Sequence, residues 1–155
     1  MSASPAAAVP RVLIVEDDPG NALVMKKILT RVGGMAVEVT EDGDLVVERG
    51  AAGRVDVVVM DVSLANTRVG GVPVDGLELT RRLLAAVRGA GHEARVLIAT
   101  AHAMMGDRER FLSATGAHSY LAKPITDHVA FAAEVRRLFD QLRKGGAETF
   151  PLPPA

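Results

Sequence analysis

The chain alternates short apolar runs with stretches in which apolar residues recur at helical spacing. Five apolar runs predict buried strands, at residues 12–15, 36–39, 55–60, 95–99 and 119–122. Because these runs are almost continuously apolar, we expect a parallel sheet that is covered on both faces. The pattern therefore predicts an α/β fold in which a doubly wound, five-stranded parallel sheet is flanked by helices.

Capping residues and glycines indicate where the helices begin and end. Asp18-Pro19 is a typical helix start, because Asp caps a helix and Pro is favoured at its first position. Asp75-x-x-Glu78 resembles a capping box, and Gly145-Gly146 is expected to stop the last helix. Five helices are predicted, at residues 19–32, 45–52, 76–87, 103–115 and 125–142.

The length of 155 residues suits one domain. We expect residues 1–9, which are mostly small and include Pro5, to be a disordered leader. Residues 10–144 are expected to fold, and residues 145–155, which contain two glycines and three prolines, are expected to be a disordered tail.

Composition excludes several classes of protein. The formal net charge is -1, so the basic excess of a nucleic-acid-binding domain is missing. The chain has no cysteine, which excludes disulfides, thiolate zinc sites and cysteine catalysis. No apolar run approaches the roughly 18 residues of a membrane span, and the first residues do not resemble a signal peptide. We therefore expect a cytoplasmic protein that neither enters a membrane nor binds nucleic acid.

Polar residues stand at the carboxyl ends of the predicted strands. Glu16-Asp17 follows the first strand, Asp61 the third, Thr100 the fourth and Lys123 the fifth. A doubly wound sheet holds its functional site at this edge. The segment EDDPGN at 16–21 matches neither of the common phosphate-binding glycine loops, so nucleotide binding is not indicated.

These residue types suit phosphoryl chemistry. Asp17 and Asp61 follow strands expected to lie about 4.8 Å apart, so their carboxylates can reach one cation. Ligands that are all oxygen favour Mg²⁺, which offsets charge on a transferring phosphoryl group. An Asp carboxylate can be the nucleophile, while a lysine and a hydroxyl contact phosphoryl oxygens.

Four segments resemble one known family. They are VLIVEDDP at 12–19, VVVMD at 57–61, LIATAHA at 97–103 and YLAKPI at 120–125. In order and spacing they resemble the response-regulator receiver domains of bacterial two-component signalling, over about residues 11–142. The resemblance implies a flavodoxin-like receiver fold and a stand-alone, single-domain regulator similar to the chemotaxis regulators.

The resemblance implies a phosphorylation and metal site. Asp61 would accept a phosphoryl group from a sensor histidine kinase or a histidine phosphotransfer protein. Glu16, Asp17, Asp61 and the backbone carbonyl of Ser63 would hold Mg²⁺. The protein would catalyse only its own phosphorylation and dephosphorylation, and would otherwise not be an enzyme.

The resemblance also implies a switch. Thr100 would be the switch hydroxyl, Tyr120 the switch aromatic and Lys123 the phosphate-contacting lysine, followed by a cis bond to Pro124. The phosphorylated form would bind a downstream protein. The family's usual output surface is formed by the fourth helix, the fifth strand and the fifth helix.

Simpler interpretations of single residues remain open. Asp18 is expected to be only a helix cap, and Tyr120 could serve packing alone. His102 is expected to be a loop residue near the site. Phe131 and Leu138 lie off the predicted core stripe of the last helix, so they could belong to the output surface or fill the edge of the core.

Two other functions compete with the phosphorylated switch. One is a pseudo-receiver, a binding scaffold that is never phosphorylated. The other is a haloacid-dehalogenase-like phosphatase, which would need Asp-x-Asp after the first strand. Glu16-Asp17-Asp18 does not offer that spacing from the strand end, and no cap domain fits the length.

Residues 65–74 form a longer connection than receivers usually have between the third strand and the third helix, and the Pro expected soon after Asp61 is missing. This insertion could gate the site, contact a kinase or be neutral, since lengthening a loop costs little. Arg68 at its centre could reach a phosphoryl group.

Overall fold

The computed structural model describes residues 8–148 of the chain, with side chains through residue 143. Five strands form a parallel sheet in the spatial order β2-β1-β3-β6-β7, and β4 and β5 form a separate antiparallel pair. The strands are β1 (Arg11–Val15), β2 (Ala36–Thr40), β3 (Val57–Asp61), β4 (Arg68–Val69), β5 (Val72–Pro73), β6 (Arg95–Thr100) and β7 (Ser119–Ala122). The predicted doubly wound α/β fold is confirmed.

Helices cover both faces of the sheet. They are α1 (Pro19–Lys27), which continues into a π-helical turn (Ile28–Val32), α2 (Gly43–Ala51), α3 (Gly76–Gly89), α4 (Asp107–Thr115) and α5 (His128–Glu148). One apolar cluster joins the sheet to α2, α3 and α4, and a second joins it to α1 and α5. None of the described helices combines the length and apolar character needed to cross a membrane.

Successive side chains of a strand lie on opposite faces of the sheet, and this alternation produces the two apolar clusters. In β1, Leu13 belongs to the first cluster while Val12 and Ile14 belong to the second. Every residue of β3 is buried, because this strand lies between β1 and β6 at the centre of the sheet. Burial on both faces explains why the strands are almost continuously apolar in the sequence.

Side chains cap the first and third helices as predicted. The Asp18 carboxylate accepts from the backbone N–H of Gly20 at 3.3 Å, and the Asp75 carboxylate accepts from that of Glu78 at 2.8 Å. The Glu78 carboxylate pairs with Arg81 and Arg82, one turn further along the helix. The helix start is therefore correct, but the described contacts of Glu78 are ion pairs rather than the second half of a capping box.

Three helix boundaries differ from the prediction. α2 starts at Gly43 because the Asp42 carboxylate accepts from the N–H groups of residues 44 and 45. α4 starts at Asp107 rather than at residue 103, because Gly106 has a φ of 87° and interrupts any earlier helix. α5 starts at His128, after Asp127 accepts from the N–H of Ala130.

The end of α5 and its buried stripe also differ from the prediction. The helix passes through Gly145-Gly146 to Glu148, because glycine weakens a helix by about 1 kcal/mol without forbidding it. Phe131 and Leu138 are fully buried, so they fill the core and are not part of an output surface. Val129, whose spacing from Ile125 and Ala132 predicts a place on the core stripe of this helix, is 69% exposed. The predicted leader and tail lie mostly outside the described residues.

The insertion is an ordered β-hairpin, which the sequence prediction missed. β4 and β5 are joined by Gly70 and Gly71, whose φ angles of 58° and 82° are those that a two-residue type I′ turn requires. Two valines flank this Gly-Gly pair, so the signal for a hairpin was present in the sequence.

The hairpin is docked on the start of α2. The Thr67 hydroxyl donates to the Glu41 carbonyl at 2.9 Å, and the Gly70 N–H donates to the Asp44 carboxylate at 2.9 Å. A Cβ atom at Gly43 would lie 2.4 Å from the Arg68 carbonyl oxygen, so glycine permits this close approach. The insertion is thus fixed to the start of α2 through β4 and the turn that follows it.

We expect Gly76→Ala to destabilise the fold, because a Cβ at this first residue of α3 would lie 1.9 Å from the Asp61 carbonyl oxygen. The free energy of unfolding should fall by about 3 kcal/mol, the upper end of overpacking costs. Gly89→Ala is the matched control at the other end of α3, where no atom lies within 4 Å of the added Cβ. Urea unfolding measures both variants, and equal midpoints would contradict the prediction.

Candidate functional site

Three carboxylates meet at the carboxyl edge of the sheet. β1 and β3 are adjacent and parallel, so Glu16 and Asp17, which follow β1, lie beside Asp61 at the end of β3. Each residue offers one carboxylate oxygen, and these oxygens all lie within 4.8 Å of one another. Glu16 and Asp61 are buried, whereas Asp17 is half-buried at the mouth of the site.

Lys123 lies between two of these carboxylates. Its Nζ is 2.9 Å from Glu16 Oε1 and 3.1 Å from Asp61 Oδ1. The three side chains are almost inaccessible, with exposed fractions of 8% for the lysine, 1% for Glu16 and 5% for Asp61. The Lys123-Pro124 bond is cis, as expected, and the Lys123 N–H donates to the Thr100 carbonyl at 2.8 Å.

Burial and charge determine how these groups ionise. Burial raises the pKa of Glu16; the hydrogen bond from Lys123 opposes this and the Asp61 charge adds to it. Burial by itself would lower the pKa of Lys123, but its hydrogen bonds to Glu16 and Asp61 outweigh burial and raise it. Lys123 is therefore a cation. It offsets only part of the negative charge of three carboxylates.

The donor set fits a magnesium ion. Three carboxylate oxygens lie close together, and no histidine or cysteine belongs to the described cluster, which is the chemistry that Mg²⁺ prefers. The single ammonium of Lys123 leaves an excess of negative charge that a divalent cation would offset. Ser63 contributes its N–H to Asp61 Oδ1 at 3.3 Å, while metal binding by its carbonyl stays a prediction.

The Asp61 carboxylate has one occupied and one free oxygen. Oδ1 accepts from Lys123 Nζ and from the Ser63 N–H, whereas Oδ2 accepts no hydrogen bond from residues 8–143. The other two acids are held by backbone groups, since Glu16 Oε2 accepts from the Asp18 N–H and Asp17 Oδ2 accepts from the Ala65 N–H. Asp61 Oδ2 is thus the oxygen available for nucleophilic attack.

Thr100 lies on the strand next to Asp61. It is 3% exposed at the end of β6, and its Oγ1 accepts from the His102 N–H at 3.1 Å. His102 itself is an exposed loop residue, as expected. The Thr100 hydroxyl therefore holds the start of the loop between β6 and α4.

Tyr120 is half-buried on β7 and packs against Phe111 of α4, with ring centroids 6.0 Å apart. Its hydroxyl is buried and has no hydrogen-bond partner among the described residues. Burial raises the pKa of Tyr120, and the nearby Asp107 charge adds to this effect. A buried phenol without a hydrogen-bond partner is energetically costly.

Two contacts of the insertion were not foreseen from the sequence. The Ala65 N–H donates to Asp17 at 2.8 Å, and no sequence signal identifies such a contact because almost every residue carries an N–H. The Arg68 guanidinium donates to the Gly71 carbonyl at 3.0 Å within the hairpin. In this structure Arg68 therefore serves the hairpin turn rather than the acidic cluster.

The fold and this acidic site with its buried lysine define a phosphorylation-switch type of α/β domain. Residues 12–135 match the response regulator receiver domain, and the chain belongs to this family. Receiver domains act as phosphorylation-based switches in two-component systems and bind Mg²⁺ in the active site.

Curated relatives are longer than this chain. The transcriptional activator protein IrlR of Burkholderia pseudomallei is 34% identical over 137 residues, which are 88% of this chain and 52% of that protein. The response regulator MprA of Mycobacterium tuberculosis is 33% identical over 114 residues, which are 74% of this chain and 44% of that protein. The chain thus spans about half the length of these relatives.

Solved structures share the fold. A CheY-like receiver domain protein from Methanospirillum hungatei superposes with a TM-score of 0.71 at 21% identity, covering 90% of this chain and all of that one. The receiver domain of a sensor histidine kinase from Pseudomonas aeruginosa is 31% identical with a TM-score of 0.63, covering 87% of this chain and 98% of that one. The latter has a magnesium ion coordinated in its active site cleft.

We expect Lys123→Met to destabilise the metal-free protein, because it leaves Glu16 and Asp61 buried without a counter-charge. Breaking a buried ion pair in this way costs about 3 kcal/mol of unfolding free energy. Urea unfolding in the presence of a chelator measures the loss. Lys27→Met, at an exposed position on α1, is the control and should stay within about 0.5 kcal/mol of the parent. A parent-like midpoint for Lys123→Met would contradict this role of the lysine.

Proposed function

We propose that this chain is a response regulator that accepts a phosphoryl group on Asp61 from a sensor histidine kinase or a histidine phosphotransfer protein, with Mg²⁺, and then binds a protein target. The observation that supports the proposal most directly is the cluster of Glu16, Asp17 and Asp61 around Lys123. The chain catalyses only its own phosphorylation and dephosphorylation.

The proposed transfer uses the two oxygens of Asp61 differently. Lys123 and the Ser63 N–H hold Oδ1, so that Oδ2 faces the incoming phosphorus atom. The Oδ2–P bond forms as the P–N bond of the phosphohistidine breaks, and the electron pair of that bond stays on the imidazole nitrogen. Glu16, Asp17, Asp61 and the Ser63 carbonyl would hold Mg²⁺, whose positive charge would offset the negative charge of the phosphoryl oxygens. Hydrolysis removes the phosphoryl group: water attacks phosphorus, the Oδ2–P bond breaks with its electron pair staying on the Asp61 carboxylate, and inorganic phosphate leaves.

The proposed switch follows from the contacts that must change. Lys123 moves its hydrogen bond from Asp61 to a phosphoryl oxygen. The Thr100 hydroxyl gives up its contact with the His102 N–H and donates to another phosphoryl oxygen. The loop from β6 to α4 then moves, and the ring of Tyr120 turns into the space that Thr100 leaves, where its hydroxyl can find a partner.

The proposed output of this regulator is binding to a protein target. IrlR is named a transcriptional activator, but DNA binding is not established for this chain. Its formal net charge of -1 favours a protein partner over nucleic acid. A stand-alone regulator in the cytoplasm stays a prediction.

We expect Asp61→Asn to abolish phosphorylation, because an amide lacks the nucleophilic carboxylate oxygen. The protein is incubated with acetyl phosphate and Mg²⁺, and the intact mass is measured. The parent should gain one phosphoryl group and the variant none. Asp18→Asn is the control, since Asn also caps helices and this neighbour of the site should leave phosphorylation intact. If the parent gains no mass, the result favours the pseudo-receiver scaffold. If the Asp61→Asn variant is phosphorylated, the acceptor is a residue other than Asp61.

We expect Asp17→Asn to weaken Mg²⁺ binding by about tenfold or more, because affinity for a hard cation follows the charge of its ligands. The amide oxygen can still accept from the Ala65 N–H, so the local structure should persist. The same change should raise stability without metal by relieving repulsion among the carboxylates. Isothermal titration calorimetry and urea unfolding provide the two measurements. Affinity equal to the parent's would exclude Asp17 from the metal site.

We expect that replacing residues 66–73 by a short glycine-serine link will spare phosphorylation by acetyl phosphate but change transfer from histidine kinases. The acidic residues and Lys123 lie outside the replaced segment, whereas the hairpin stands on the start of α2 beside the site. Initial rates with a panel of purified kinases measure the effect. Unchanged rates with acetyl phosphate and with every kinase would make the hairpin a tolerated insertion.

A further inference from the structure

We propose a second binding site, for a small oxyanion, at the amino edge of the sheet. It is a cleft that we call the basal pocket, defined by Arg88, His92, Glu93, Arg95 and His118. The cleft has a volume of about 410 Å³ and lies between the end of α3, the start of β6 and the start of β7. This inference does not depend on the phosphorylation of Asp61.

Arg95 supplies an unsatisfied donor. Its Nε is buried and has no hydrogen-bond partner among the described residues. A buried donor without a partner is costly, and more so when it is charged. Arg95 lines the cleft, and a guanidinium matches the planar, two-oxygen geometry of a carboxylate or a phosphate.

His118 offers a hydrogen-bond donor at its Nε2 atom. Its Nδ1 accepts from the Val96 N–H at 3.1 Å, so the proton of the neutral ring lies on Nε2. Burial, with the Arg95 charge adding to it, lowers the pKa of His118 to about 4. The ring is therefore neutral near pH 7 and offers an N–H rather than a lone pair at its free nitrogen.

The wall of the pocket formed by His92 is held in place. A Cβ atom at Gly53 would lie 2.7 Å from the His92 ring, so the ring packs on this glycine. The two guanidinium groups of Arg88 and Arg95 outweigh the single carboxylate of Glu93, which lies at the exposed rim. Net positive charge and several N–H donors favour an anion over a cation or an apolar ligand.

The basal pocket is well separated from the acidic site. Arg95 begins β6 and Thr100 ends it, so the two sites lie about 17 Å apart along the strand. An oxyanion can therefore bind at the basal pocket in the absence of Mg²⁺. Conversely, loss of the basal pocket leaves the phosphorylation chemistry of Asp61 in place.

The test is a titration of the protein with oxyanions at pH 7 without divalent cations, and it is monitored by ¹H–¹³C NMR of the histidine rings. Sodium pyrophosphate is the phosphoryl probe, sodium citrate is the carboxylate probe, and sodium chloride at equal ionic strength is the control. The signals of His92 and His118 should shift saturably with at least one oxyanion and not with chloride. The probe that binds with the higher affinity shows whether the pocket prefers a phosphoryl group or a carboxylate.

Variants then assign the binding to the two arginines. Arg95→Gln and the exposed Arg88→Gln should each weaken binding by about tenfold, as expected for loss of a charged hydrogen bond. Arg54→Gln, at an exposed arginine outside the basal pocket, is the matched control and should bind as the parent does. The proposal is overturned if neither oxyanion gives a saturable shift, if chloride reproduces the shift, or if both pocket variants retain parental affinity.

Discussion

The buried contact of Lys123 with Glu16 and Asp61 is the interaction on which the site depends. Parallel strands bring their carboxyl ends together, so the acids that follow β1 and β3 necessarily crowd one another. One buried ammonium makes this arrangement tolerable, but it does not neutralise three carboxylates. The remaining negative charge of the carboxylates favours a divalent cation at this site.

The surrounding fold keeps this edge of the sheet in one geometry. Gly76 lets α3 begin directly against the Asp61 carbonyl, and the hairpin is tied to the start of α2 and to Asp17 through the Ala65 N–H. The two contacts of Thr100, through Oγ1 to His102 and through its carbonyl to Lys123, link the acidic site to the loops that follow β6 and β7. These contacts connect Lys123 of the acidic site, through Thr100, to the start of the loop that leads to α4.

The sequence alone determined the fold and the membership of the acidic site. Near-continuous apolar strands can only be buried on two faces, which requires helices on both sides of a parallel sheet. In a parallel sheet, the residues at the carboxyl ends of the strands share one edge. The sequence was therefore enough to predict that this edge carries Glu16, Asp17, Asp61, Thr100 and Lys123. The caps at Asp18 and Asp75 are local interactions and were equally predictable.

Tertiary structure decided what local patterns leave open. In α5, two helical stripes were compatible with the apolar pattern, and packing against the sheet buried Phe131 and Leu138 while leaving Val129 exposed. The docking of the hairpin, the Ala65 contact with Asp17 and the unpartnered Nε of Arg95 depend on residues far apart in the chain. Such contacts involve backbone groups and burial, which are properties of the folded molecule. Residue type and spacing therefore predicted which groups share the edge of the sheet, and packing decided the neighbours of each group.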